Sequence, residues 1–222
     1  MAIICVGNRI PDFENVSVGV SNVTTAGTFD SNYVPGSMSF ESGAFIQKNF
    51  TAAAGVVTWF RFTHYRSATF GAGSGTSDGL SIWDASGNLI LSVNKPTTTS
   101  NSHFYTLYGA ANATSAAVPM PSATASVVTI KIDNTGAGTV ATIYSDTAGT
   151  VFATLTVADR QTRTNPTQFR LTPSNFIYSG SAYMFISEVI VADTSLIGRR
   201  LIQMAPNTVG DDSAMSGAIA GL

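Results

Sequence analysis

Several stretches of this chain alternate in side-chain character with a period of two, a pattern that fits extended strands and does not fit helices. Across 56–64 the run Val-Val-Thr-Trp-Phe-Arg-Phe-Thr-His sets Val56, Phe60 and Phe62 on one side, Trp59 and Arg61 on the other. Across 127–132, Val128, Ile130 and Ile132 alternate with Thr129 and Lys131. β-branched and aromatic residues dominate both runs, as a pleated, half-buried surface favours. An Asp-x-x-Gly motif recurs between strand-like runs, at Asp84–Gly87, Asp133–Gly136 and Asp146–Gly149. The aspartate carboxylate accepts from the turn's own backbone, and glycine supplies the positive φ needed to re-enter the next strand. The spacing predicts three hairpins, over about 80–93, 127–144 and 140–157.

Helical periodicity is nearly absent. The best window, 194–204, has Thr194 or Ser195 to cap a turn, with Gly198 and Pro206 to keep it short. The expected fold is therefore all-β: an antiparallel two-sheet sandwich or jelly roll with at most one or two short helices. A chain of 222 residues can bury one such core, so a single domain over 1–222 is expected. The segments at about 1–30 and 195–222 lack strong local patterning and read as arms that contact partners.

Charged residues make up 11% of the chain and the net charge is -2, against about 25% charged in an ordinary soluble domain. The surface must be covered by Thr, Ser, Asn, Ala and Gly, which suits a protein packed against other subunits and equally suits a β protein secreted in quantity. No basic block marks a nucleic-acid partner. No apolar run approaches the ~20 residues of a membrane span. The apolar N-terminal run ends at Val6 without a basic segment before it, which predicts synthesis in a cytoplasm without export by the general route. The single cysteine, Cys5, lies in the apolar run Ile3–Val6 and reads as a small buried hydrophobe.

The close of the chain carries a resemblance. The run from Tyr183 ends in Val191-Ala-Asp193. Gly198-Arg-Arg-Leu201 follows, then Pro206-Asn-Thr-Val-Gly-Asp211. This order resembles the end of phage virion proteins with a concanavalin A-like or laminin-G-like β-sandwich. There, a last long strand closes in a Val-Ala-Asp-like corner, before a Gly-x-Arg-(Val/Leu) element and a Pro-x-x-x-Gly-Asp segment. The pattern extends over about 40–206: a strand over 42–50, an aromatic strand over 56–65, the Asp-x-x-Gly hairpins and the closing strand. Relatives often carry a Trp soon after the Gly-Asp; here Met215 occupies that neighbourhood. The resemblance implies a virion protein assembled in the host cytoplasm, with other virion proteins as partners and a homo-oligomeric state, commonly trimeric.

The residues offer little chemistry. Sandwich glycosidases set acids two residues apart on one strand, in a Glu-x-Asp-x-(x)-Glu run. Glu41 and Glu188 have no such neighbour, and Glu14 has only Asp12, with no further acid over 15–18 to complete the run. His64 and His103 lack ligand-spaced companions, and Gly71–Gly75 lacks the lysine and helix of a phosphate loop. Asp78 and Asp84 supply too few oxygens for calcium. No catalytic residue, metal or cofactor is expected. One constellation stands out. If Phe60 and Phe62 face the core, then Trp59, Arg61 and Tyr65 line the opposite face, and Trp83 is out of phase with Leu80 and Ile82. Aromatic rings beside a guanidinium could stack on sugars. The alternative is that a subunit or a long loop covers that face and makes it an interface or second core, as aromatics and Arg are favoured at protein interfaces too. Arg199 and Arg200 are candidate partner contacts. The expected function is a non-enzymatic structural protein of a tailed bacteriophage virion, a packing or adhesion module on the tail, neck or head. The alternatives are a capsid decoration (cement) protein and a carbohydrate-binding host-recognition lectin.

Overall fold

The computed structural model describes residues 3–7, 15–16, 20–22, 38–40, 45–53, 55–66, 80–94, 102–116, 118–119, 126–145, 149–171 and 184–197. Among these there is no helix. The strands are β1 (Ile3–Gly7), β2 (Asn15–Val16), β3 (Val20–Asn22), β4 (Met38–Phe40), β5 (Ile46–Asn49), β6 (Val57–Arg66), β7 (Leu80–Asp84) and β8 (Leu89–Asn94). They continue with β9 (Ser102–Leu107), β10 (Ala113–Thr114), β11 (Val118–Pro119), β12 (Ser126–Asp133), β13 (Thr139–Tyr144), β14 (Val151–Val157), β15 (Pro166–Leu171) and β16 (Met184–Ala192).

They form two antiparallel sheets. The first runs β14-β13-β12-β6-β16-β4-β3, with β1 also paired to β16; the second runs β10-β9-β8-β7-β15-β5-β2, with β11 on β9. Two sheets joined by one apolar interior make the expected β-sandwich. Phe60, Phe62, Ile130, Ile132, Val189 and Val191 enter the core from the first sheet; Ile82, Leu91, Tyr105, Leu107 and Phe169 enter from the second. Phe50 bridges the layers, 5.9 Å from Phe60 edge-on and 6.4 Å from Phe169. Each fully buried Leu, Ile or Phe contributes about 1.5–3 kcal/mol.

The three expected hairpins form, as β7–β8, β12–β13 and β13–β14. Gly87 and Gly136 adopt φ of 77° and 76°, the left-handed region open to glycine without a Cβ clash. Asp84 Oδ1 accepts from the Ser86 and Asn88 amides at 2.9 and 2.8 Å, and Asp133 Oδ1 from the Thr135 amide at 3.1 Å. The third turn ends in Gly149 at φ 97°; Asp146 lies outside the described residues. Val56 departs from the expected pattern. It is 48% exposed, because β6 starts at Val57 and Val56 belongs to the preceding bend, where its carbonyl accepts from the Asn134 amide at 2.9 Å. The core position one step inward is taken by Thr58, which is 1% exposed.

At one end of the sandwich the segment 158–165 passes from β14 of the first sheet to β15 of the second, and polar groups fix it to both. Asp84 Oδ2 accepts from the Thr164 amide at 3.0 Å, and the Asn134 side-chain amide donates to the Thr164 carbonyl at 3.2 Å and to Asn165 Oδ1 at 3.1 Å. Thr139 Oγ1 holds Asn134 Oδ1 at 2.7 Å, the Arg160 guanidinium donates to the Asn134 carbonyl, and Arg163 Nε donates to the Leu89 carbonyl at 2.7 Å. Asp84 and Asn134 are 3% exposed, so each lost bond here would leave a buried polar group without a partner.

Candidate functional site

A sandwich has two outer faces, and the structure separates the residues singled out in the sequence between them. Trp59 and Arg61 stand on the outer face of the first sheet, alternating with the core residues Phe60 and Phe62. They are not surface residues: Trp59 is 7% and Arg61 2% exposed. The cause is the chain's own continuation. After β16 turns at Asp193, the segment 193–197 crosses this face as a strap. Trp59 packs with Ile190, Ala192 and Leu196 in a second apolar cluster, and its ring stacks on Tyr144 at 5.9 Å and 18°. Arg61 Nε donates to Thr129 Oγ1 at 3.1 Å, and the Arg61 guanidinium donates to the Leu196 carbonyl. A buried guanidinium requires such acceptors. The strap reaches the β13–β14 turn, where Gly149 lies so close to Ile197 that a Cβ would stand 2.8 Å from its Cγ2. Ser195 Oγ accepts from the Ile197 amide at 3.2 Å; residues 194–197 are not helical, and the rest of the 194–204 window lies outside the described residues. Trp59 and Arg61 thus lie buried beneath a covering segment, Trp59 in a second apolar cluster.

Trp83 belongs to the other sheet. Its backbone pairs with Gln168 and Leu89, and it lies opposite in phase to the core residue Ile82. Trp59 and Trp83 therefore sit on opposite outer faces with the core between them, and no single surface contains both. Period-two alternation assigns a face within a strand but not the sheet to which the strand belongs. The Tyr65 backbone pairs with Phe185; the side chains of Tyr65, His64, His103 and Glu188 lie outside the described residues, as do Arg199, Arg200 and Asp78.

The outer face of the second sheet carries an ordered polar row. Register places Asn15, Gln47, Arg170, Ser81, Ser92, Thr106 and Thr114 side by side across β2, β5, β15, β7, β8, β9 and β10. A neighbouring row sets Asn49, Gln168 and Trp83 side by side, with Gln168 Nε2 donating to Asn49 Oδ1 at 2.8 Å. Ser81 and Ser92 are buried, Ser92 Oγ being 3.0 Å from Tyr108 Oη. Gln47, Trp83, Gln168 and Arg170 are half-buried and form the accessible part. The Arg170 guanidinium lies 3.8 Å above the Phe45 ring, a cation–π contact that fixes its plane. Arg170 Nε is buried with no hydrogen-bond partner. An indole, two carboxamides and an oriented guanidinium on one rigid sheet can stack on a ring and donate to hydroxyl or carboxylate oxygens. Trp83 was singled out in the sequence; Gln47, Phe45, Gln168 and Arg170 were not. Their signal was present as alternation, with Phe45 and Gln47 flanking Ile46, and Gln168 and Arg170 flanking Phe169.

Asp84, weighed in the sequence as a calcium ligand, spends its carboxylate on four donors: the amides of Ser86, Asn88 and Thr164 and the Asn88 side chain. Burial alone would raise its pKa. The hydrogen bonds from the Asn88 side chain and from the Thr164, Asn88 and Ser86 amides outweigh burial and hold it below the usual carboxylate value. Among the described residues no group of three or more His, Cys, Asp or Glu side chains is placed to hold a metal ion, and no helix is long and apolar enough to cross a membrane.

No protein-family model matches the chain, and no curated protein matches it. Solved structures do. The botulinum neurotoxin serotype D binding domain superposes with TM-score 0.60 at 11% identity, over 87% of this chain and 48% of that one. The serotype D ligand binding domain in complex with N-acetylneuraminic acid gives TM-score 0.59 at 11% identity, over 87% and 48%. A structure of botulinum neurotoxin type C, whose cell entry is dependent upon interaction with two ganglioside molecules, gives TM-score 0.53 at 13% identity, over 85% and 47%. This chain spans about half the length of each of these proteins. At such identities the likeness establishes architecture: the chain has the two-sheet β-sandwich fold found in botulinum neurotoxin receptor-binding domains.

Proposed function

We propose that this chain is a non-enzymatic structural protein of a tailed-bacteriophage virion, a β-sandwich adhesion or packing module on the tail, neck or head. The observation that carries the reading is the way the chain leaves its last strand. The Val-Ala-Asp corner that resembles phage virion proteins lies where β16 ends, and the residues beyond it are anchored across the outer sheet by Trp59, Arg61 and Leu196. That anchoring holds the chain up to Ile197, and the Gly198-Arg-Arg-Leu201 and Pro206–Asp211 elements follow it in sequence. Partner contact by Arg199, Arg200 and the C-terminal arm belongs to the same reading, as does assembly in the host cytoplasm; the described parts of the N-terminal segment, β1, β2 and β3, pair instead with strands of the chain's own sheets. Fold alone would not license it. Mass spectrometry of purified particles, with stoichiometry, tests it. The chain is expected in the mature particle at fixed copy number: tens or fewer for tail or neck, hundreds for capsid decoration. Its absence from the particle overturns the proposal.

A second reading, host-surface glycan recognition, is favoured by Trp83 and Arg170 on the second sheet and by the sialic acid and ganglioside binding of the structural neighbours. A glycan array probed with the full chain, W83A and R170A tests it. Signal lost in both variants, with stability retained, supports a lectin. Binding unchanged in both excludes this face.

A further inference from the structure

The strands that end each sheet are treated differently. In the second sheet the path ends in β10 and β2, of two residues each, and in the first sheet one end is β3, of three. Short edges are a common protection against strand addition. The other end of the first sheet is β14, seven residues long, and no other described strand lies on its outer side. Its sequence, Val-Phe-Ala-Thr-Leu-Thr-Val, contains no charge, proline or glycine. The residues that usually guard a long edge are absent. Val151 is 55% and Phe152 39% exposed.

We propose that β14 pairs with β14 of a second copy of this chain, antiparallel about a two-fold axis at Leu155. The register of β13 on β14 skips Phe152, so the regular ladder is 153–157 with Leu155 at its centre. Self-pairing there sets Ala153 opposite Val157 of the second copy and Thr154 opposite Thr156. Ala153, Leu155 and Val157 are the core-facing residues of β14, whereas Thr154 and Thr156 are exposed. Every core-facing residue thus meets a core-facing residue, and the threonines meet threonines, a favourable cross-strand pair. A one-residue slip would break this match. No like charges are opposed, because the strand has none. The two first sheets become one continuous sheet, in an isologous contact that covers the open edge. A strand from an unrelated protein would need the same neutrality and phase; a second copy has both by identity.

The full chain is measured by size-exclusion chromatography with light scattering across a hundredfold dilution. The wild type is expected to be a concentration-dependent two-fold oligomer. In T154K/T156K the two-fold axis sets lysine against lysine at both cross-strand pairs, and association is expected to weaken at least about tenfold. In T154K/T156E the same axis sets lysine against glutamate at both pairs, and association is expected to be restored. Both variants alter the same two exposed threonines, so any cost to the fold is shared, and the difference between them reads the pairing. A monomeric wild type, or an oligomer equally stable in both variants, overturns the proposal.

Discussion

Replacing Asp84 with alanine tests the polar lock between the sheets. The carboxylate is 3% exposed and accepts four hydrogen bonds at 2.8 to 3.0 Å, one of them from Thr164 in the segment that joins the sheets. A hydrogen bond to a charged group is worth roughly 1.5–3 kcal/mol, but the turn amides of Ser86 and Asn88 can recover water. The net cost is then about 3 kcal/mol. For a domain of this size 1 kcal/mol moves Tm by about 2–4 °C, so D84A is expected to melt about 6–12 °C lower at neutral pH. The sign with pH follows from the depressed pKa of Asp84. The stability it supplies is fully present above its unfolded pKa of about 3.9, and is lost as pH falls through the lower folded value. The gap between wild type and D84A should therefore narrow progressively as pH falls below the unfolded value. Melts followed by circular dichroism at neutral and acid pH measure both. A loss below about 2 °C at neutral pH, or a gap that does not narrow in acid, would refute the assignment of stability to these bonds.

Trp59→Ala removes the stack on Tyr144 and the floor beneath Leu196, and should cost about 3–5 kcal/mol in urea unfolding, with faster amide exchange in 193–197. Gly149→Ala meets both a φ of 97° and Ile197 at 2.8 Å. It should cost about 1–3 kcal/mol, more than Gly87→Ala, where a Cβ finds open space; paired thermal melts compare them. Arg170→Ala gives up one cation–π contact, about 0.5–1 kcal/mol, and should leave Tm within about 4 °C of wild type whatever it does to glycan binding.

The local half of this fold was legible. Alternation marked β6 and β12, and Asp-x-x-Gly marked the hairpins, because each depends on neighbours only a few residues away. What joins distant segments was not. Nothing near Trp59 announces that 193–197 will cover it, and nothing near Trp83 says that its strand faces away from β6 across the core. The buried state of Arg61 depends on Thr129 and on the Leu196 carbonyl, both remote in sequence. Arg170 lay in plain alternation with Phe169, but its partner Phe45 stands just before β5, more than a hundred residues earlier.

The position of β16 constrains how this protein is made. It pairs with β6 along one side and with β4 and β1 along the other. Until residues 184–192 have emerged from the ribosome, the first strand has no template and the long edge of β6 stays open. Although β3 can pair with β4 and β2 with β5 early, β1 must therefore wait for residues 184–192. Folding of the first sheet becomes a late, concerted event dominated by contacts between distant segments, which makes it slow. A polypeptide stalled before Met184 would leave that sheet without its keystone and expose an unpaired edge to every other nascent copy nearby.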